Sequence, residues 1–405
     1  MAVDSGSLWR IQGLAMDAMG EFKARVRDLT PKGLGVIDHP DGRVVFVPGV
    51  WPGDTGLFRV TKMEKRYGFG DLIELIEPSP ERRTPPCPHQ GFSAGDCGGC
   101  PWMIATYEGQ LAAKQKLVKQ SLDRALQGFD PSVITSIQGS PQELGFRNRA
   151  QVKTDGQQIG FVSSGKKTLA PIKDCLILTD KNRQTLKELL ARLPNSEWKP
   201  PKHFLWSFLE FDEDIGADEV QANQRRSFRQ GNQEQNEYMQ NWLREVMSPQ
   251  PKQEPVLELF CGSGNFTEIL SQLGFTSVLA IDSSAPAVSE LENRHLEGVK
   301  TGCADLREGS SLKGLLKDWG QIPKALLLDP PRGGYPQIKE LSDTLKDLEQ
   351  IIYISCDVHA FAQDAKGLQN LGWQLTQVQP LDQFPHTPHI EILSLFSRQP
   401  GAKND

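Results

Sequence analysis

The chain has 405 residues, too many for one ordinary core, so two to three domains are expected. Hydrophobic residues make up 38% and charged residues 24%, a globular balance, and no run of about 18 apolar residues offers a membrane span. The net charge of −6 does not point to nucleic acid. The start, MAVDSGSLWRIQG, lacks the stretches of a signal peptide, and seven cysteines without one argue against a disulfide framework and for a reducing cytosol.

In chain order, residues 20–77 show short strands rich in Val, Ile and Phe, punctuated by Gly, Pro and Asp, the pattern of a small all-β barrel of the OB type. SPERRTPPCPH then reads as a linker. Residues 105–127 have helical spacing, and from 146 to about 228 strands mix with one helix near 181–193. Basic clusters such as KMEKR (62–66), GKK (165–167) and QRRSFR (224–229) gather in residues 1–235, which hold 31 Lys and Arg against 29 Asp and Glu. Residues 236–405 hold 14 against 22. Such clusters are either solvated faces or a grip on phosphates, so the asymmetry allows the first half to grip phosphates while the second does chemistry.

From 236 apolar strands alternate with helices: PVLELF, SVLAID, KALLLD, QIIYIS, then WQLTQVQPLDQF and IEILSLFSR, with helices expected near 336–348 and 358–371. That alternation predicts a mostly parallel, doubly wound sheet, whose ligands bind beyond the carboxyl ends of the strands. LELFCGSGNF (257–266) is a strand followed by Gly262-x-Gly264 and a helix. Asp282 comes 20 residues after Gly262, placed to hold both hydroxyls of a ribose. The third glycine of the NAD fingerprint is Thr267, so the turn suits S-adenosylmethionine as well as a dinucleotide. Asp305 is placed toward the adenine, and Asp329, before two prolines in LLLDPPRGG, toward the reactive end of the cofactor.

Cys356 ends the strand IIYIS, where a thiolate can add to C6 of uracil and make C5 nucleophilic. A base must then remove the C5 proton. LDQFPHTPHIE (381–391) offers Glu391, with His386 and His389 as alternatives. Cys87, Cys97, Cys100 and Cys175 can hold zinc or an iron–sulfur cluster, the irregular spacing leaning toward iron. Cys261 and Cys303 read as packing. Trp51, Tyr67, Phe69 and Phe146 are aromatics available for RNA or for a core.

Three segments together, DPPRGG…IIYISC, LDQFPHTPHIE and FRQGN…LELFCGSGNF, resemble the RNA uracil-5-methyltransferases, and the N-terminal barrel resembles their TRAM domain. The resemblance implies an α/β protein: a TRAM barrel over 18–78, a small α+β domain over 79–235 carrying a [4Fe-4S] cluster, and a Rossmann-like S-adenosylmethionine-dependent domain over 236–405. The helix near 105–127 is free to pack on that last domain. It also implies Cys356 as nucleophile and Glu391 as base. Gln230, Phe260, Asn265, Asp282, Asp305 and Asp329 would contact the cofactor, and Cys87, Cys97, Cys100 and Cys175 would hold the cluster. The implied partner is RNA, 23S rRNA favoured over tRNA, met at a single-stranded or flipped-out uridine by a monomer in the cytoplasm. Asp357 and Ala360 depart from the family's usual Asn and Thr, and the loop between the first two cysteines, nine residues, is longer than usual. A non-catalytic RNA-binding module and a redox enzyme are the competing readings.

Overall fold

The computed structural model describes residues 20–163, 167–226, 228–339, 341 and 345–398. Residues 18 and 19 of the expected barrel, Gly165 and Lys166 of the GKK cluster, Ser227, and part of the helix expected near 336–348 lie outside the described residues. Among the described residues no helix is long and apolar enough to cross a membrane.

The first sheet comprises β1 (Glu21–Arg25), β2 (Asp28–Leu29), β3 (Gly35–Asp38), β4 (Val44–Val47), β5 (Thr55–Met63) and β6 (Tyr67–Glu77), in the order β1-β5-β6-β4-β3-β2. β1 and β2 are halves of one strand bent at Val26 and Arg27, whose amides reach Asp54 O at 2.8 Å and Arg27's neighbour across the sheet, Val36 O, at 3.0 Å. Because the outer strands are one strand, the order closes on itself and a barrel results. Alternate residues point inward, and Phe22, Ile37, Val45, Val47, Phe58 and Val60 fill the interior. The four aromatics divide. Trp51 and Phe146 are buried, whereas Tyr67 (40% exposed) and Phe69 (36%) lie outside against Phe46.

Helix α1 (Tyr107–Ala125) starts at Thr106, whose Oγ1 accepts Gly109 N at 3.3 Å. A second sheet follows, with β7 (Arg149–Thr154), β8 (Ile159–Val162), β9 (Leu169–Pro171), α2 (Asp180–Ala191) and β10 (Ser207–Asp212), in the order β10-β7-β8-β9. Val152, Leu186, Trp198 and Leu209 give it a core of its own.

The third body runs α3 (Gln233–Met247), β11 (Val256–Leu259), α4 (Thr267–Gln272), β12 (Val278–Asp282), α5 (Ala285–Glu292), β13 (Val299–Cys303), α6 (Gly309–Trp319), β14 (Ala325–Leu328), β15 (Gln350–Ser355), α7 (Val358–Asn370), β16 (Trp373–Leu381) and β17 (Glu391–Arg398). The seven-stranded sheet has the order β13-β12-β11-β14-β15-β17-β16, with β17 antiparallel to both neighbours. Leu257, Leu279, Leu326 and Ile351 face one helical layer, and Val256, Val278, Leu327 and Ile352 the other. Both faces are covered, so the strands read as continuous apolar runs. Leu117, Val118 and Leu122 of α1 join the first layer, and the chain after α1 pairs with β16 through Thr135 N to Val378 O (2.9 Å) and Gln138 N to Pro380 O (2.9 Å). Strand order reverses between β11 and β14, which opens a crevice at their carboxyl ends.

Candidate active site

Ser355 of β15 lies opposite Ile392 of β17. One step outward, the same register sets Cys356 opposite Glu391, although 34 residues separate them in the chain. Directly opposed residues in antiparallel strands hold their Cβ atoms about 5 Å apart. Burial pushes the Cys356 thiol up to about 12, helped by the negative charges of Glu391 and Asp329 and opposed by Arg332. Glu391 is buried, and burial and Asp329 hold its carboxyl well above the usual range against the pull of Arg332. Asp329, first residue after β14, is pushed up to about 7 by burial and by Asp282. Three acids thus crowd one strand-end edge, the arrangement that spreads proton affinities at reactive sites.

His386 and His389 precede Glu391 in the same loop. Burial pushes each down to about 4, so both rings are neutral, and the His386 ring meets the Gln110 amide at 3.2 Å. Asp357, one of the departures from the family's usual residues, begins α7. Its Oδ1 accepts His359 N and Ala360 N, both at 2.9 Å, and caps α7.

The crevice holds a cavity of about 530 Å³ with Gln230, Phe260, Asn265 and Asp329 in its wall. Phe260 (φ 64°), Gly262 (φ 55°) and Gly264 (φ 94°) turn the backbone through left-handed conformations. A Cβ on Gly262 would meet nothing within 4 Å, so the bare backbone leaves open space for a ligand. Asp282 is fixed beneath this turn, accepting Gly262 N at 2.9 Å and Ser284 N at 2.8 Å. The Asn265 amide is engaged by α3, exchanging hydrogen bonds with Asn236 at 2.9 and 3.0 Å and accepting from Gln240 at 3.0 Å. Gln230 Oε1 accepts Gln383 Nε2 at 3.1 Å, which ties the cavity wall to the loop before Glu391. Asp305 stands further out, exposed beyond β13, and its Oδ1 accepts Arg307 N at 2.9 Å.

Sequence reasoning missed three features. Glu258, the one acid in β11, is buried and pushed up to about 8 by its burial, with Asp329 and Asp282 adding to the rise. Arg332 stands in the DPPRGG stretch but received no role. The third is a clamp on the loop 381–391. Lys114 of α1 pairs with Asp382 at 2.5 Å and donates to Phe384 O at 3.2 Å, Tyr107 O–H donates to Asp382 Oδ2 at 2.8 Å, and Gln110 Oε1 accepts His386 N at 2.9 Å. Trp102 N adds a bond to His386 O at 2.9 Å. The only hint was the helical spacing of α1, which says nothing of a partner about 270 residues away.

Cys87, Cys97, Cys100 and Cys175 line one small cavity with Phe161 and Ile172. Burial raises the thiols of Cys97, Cys100 and Cys175, and their neighbours' charges raise them further. His89 Nε2 accepts Lys173 N at 3.1 Å and is thereby occupied. Among the described residues no three Cys, His, Asp or Glu side chains converge on a point as ligands of one metal ion. Cys261 is buried as expected; Cys303 is exposed, because it ends an outer strand, and so does not pack.

A doubly wound sheet with one antiparallel strand, a glycine turn at its switch point and an acid fixed beneath that turn fits the Rossmann-like class of S-adenosylmethionine-dependent methyltransferases. Residues 214–399 match the family model of the tRNA (Uracil-5-)-methyltransferases. An uncharacterized RNA methyltransferase of Nitrosomonas europaea is 42% identical over 94% of this chain and 98% of its own. The 23S rRNA (uracil(1939)-C(5))-methyltransferase RlmD of Yersinia enterocolitica is 28% identical over 93% and 95%. The solved structure of the Pyrococcus abyssi tRNA (uracil-54, C5)-methyltransferase with S-adenosyl-L-homocysteine shares the fold, with a TM-score of 0.67, 23% identity, and coverage of 93% of this chain and 100% of that one. The chain belongs to the RNA uracil-5-methyltransferase family.

Proposed function

We propose that this protein methylates C5 of a uridine in RNA, 23S rRNA in preference to tRNA, through a covalent bond from Cys356 to C6. The observation that carries the reading is the register of β15 on β17, which one step past Ser355–Ile392 brings Cys356 opposite Glu391, with Asp329 of the cavity wall acting on both. S-adenosylmethionine, when bound, supplies the methyl group; the open space over Gly262 and the fixed carboxylate of Asp282 suit its nucleoside. The 23S preference rests on the full-length likeness to proteins named for that substrate.

At neutral pH the Cys356 thiol keeps its proton, and its neighbour Glu391, in the fraction that is ionised, is the acceptor at hand. The thiolate adds to C6, and the pair of electrons released at C5 makes that carbon the nucleophile. Glu391, having passed the first proton to solvent, takes the C5 proton, and the sulfur leaves. C6 of a paired uracil is hidden, so the substrate uridine is single-stranded or flipped out. The exposed Tyr67 and Phe69 are placed for stacking on neighbouring bases, by a monomer acting in the cytosol.

We also propose that Cys87, Cys97, Cys100 and Cys175 hold a [4Fe-4S] cluster. Four partly buried thiols line one small apolar cavity, a donor set that suits an iron–sulfur cluster. No catalytic step uses an electron, so the cluster would staple the loop between Cys87 and Trp102.

The test is incubation with transcribed 23S rRNA and tRNA and tritiated S-adenosylmethionine, followed by mass mapping of 5-methyluridine. Label in 23S rRNA is expected, and Cys356→Ala is expected to abolish both label and covalent adduct. Binding without any methyl transfer by the wild type would return the protein to the non-catalytic reading.

A further inference from the structure

Arg332 sits at the apex of the turn Pro331–Gly334, closed by Gly334 N to Pro331 O at 2.8 Å. The turn is fixed to the scaffold of the nucleophile. Tyr335 N donates to Asp364 Oδ2 of α7 at 2.7 Å, and the same oxygen accepts Tyr353 O–H of β15 at 2.6 Å. Gly334 has φ 68°, and a Cβ there would come within 2.5 Å of that oxygen, so backbone and helix are in direct contact. β15 and α7 flank Cys356, so one frame places both the turn apex and the sulfur. Arg332 is exposed and makes no ion pair among the described residues. β14, which ends four residues before Arg332, runs parallel beside β15 with Leu328 opposite Tyr353, so the turn stands at the same strand-end edge as Cys356, and the Arg332 charge acts on Cys356, His389 and Glu391. A free cation so held is expected to meet the substrate.

Resting on the uridine methylation proposed above, we propose that Arg332 is a further catalytic residue whose guanidinium donates hydrogen bonds to uracil O4 while the Cys356 sulfur adds to C6. In that step the S–C6 bond forms, the C5–C6 π pair shifts to C4–C5, and the C4–O4 π pair comes to rest on O4 as an oxyanion. Nothing is oxidised or reduced, no proton moves at O4, and the pairs return when the thiolate leaves. A cation fixed at a charge that exists only after addition favours the transition state over the bound ground state. The rigid fork of Arg suits a single oxygen better than the mobile ammonium of Lys.

Turnover of the full chain on transcribed 23S rRNA is measured first. A wild type that methylates no RNA sinks the parent reading and this inference together; an active wild type isolates the Arg332 question. Arg332→Met is then expected to lower kcat about 10²- to 10³-fold, the loss typical of an oxyanion donor, with the KM for RNA within about threefold. Arg332→Lys is expected to lose about tenfold, since charge remains and the fork is lost. The same ranking is expected in the rate of covalent adduct formation with 5-fluorouridine-substituted transcript. Because Arg332 is exposed, both variants should unfold at the wild-type temperature. The salt slope of RNA binding should not change, whereas a lost phosphate contact would flatten it by about one. A wild-type kcat in Arg332→Met, or a defect confined to KM with a flattened slope, overturns the proposal.

Discussion

Glu391→Gln tests the cross-strand pair directly, before any RNA is added. The wild-type thiol is pushed from about 9 to about 12, burial first and Glu391 second among the causes. Two unit charges about 5 Å apart at an effective dielectric of about 20 repel by about 3 kcal/mol, which bounds the carboxylate's share at roughly 2 pKa units. Burial takes the larger part of the rise, so a fall of about one unit on substitution is expected. Each unit gives about ten times more thiolate, offset about threefold by the lower nucleophilicity of a weaker base. The net gain is about threefold in alkylation of Cys356 by iodoacetamide, read on its own peptide by mass spectrometry. The gap should widen as pH rises, because the raised Glu391 carboxyl ionises later than an ordinary one. Equal rates at every pH in a folded variant would mean that the carboxylate does not face the sulfur. With RNA and S-adenosylmethionine present, the same variant should accumulate a methylated RNA adduct, because the ring cannot lose its C5 proton.

Three further outcomes are expected. Lys114→Met leaves Asp382 as a buried charge held only by Tyr107, and should cost about 3–5 kcal/mol in urea unfolding, with methylation lost as the loop 381–391 loosens. Asp329 has a folded-state pKa raised to about 7, so the stability it contributes is present below about 4 and is lost as pH rises through about 7. Asp329→Asn lacks that loss, and its urea midpoint relative to wild type should climb between pH 4 and pH 8; a constant difference would contradict the assignment. Asp357→Asn should keep both the α7 cap and the wild-type alkylation rate of Cys356, whereas Asp357→Ala should lose about 1 kcal/mol.

The sheet was legible because doubly covered strands cannot afford polar residues: SVLAID, KALLLD and QIIYIS announce themselves. The strand-end positions of Asp282, Asp329 and Cys356 followed from where those runs stop. Roles for Cys356 and Glu391 came from resemblance joined to chemical need, since no local pattern reveals that one will face the other. Glu258 was invisible because a single acid inside an apolar run carries no sign of whether it is buried or turned outward. The sorting of Trp51 and Phe146 inward and of Tyr67 and Phe69 outward depends on barrel register, which composition does not encode. The capping role of Asp357 was not legible, because a helix start after SCD carries no mark that tells a cap from a charge beside the cysteine.

The position of β17 has a consequence for biosynthesis. It inserts between β15 and β16, yet the ribosome makes it after both. A nascent chain that has reached residue 390 already owns the sulfur and the cofactor crevice, but β15 has a raw edge and Glu391 does not yet exist. On the chemistry proposed above, the acid joins the sulfur only when β17 takes its place between β15 and β16.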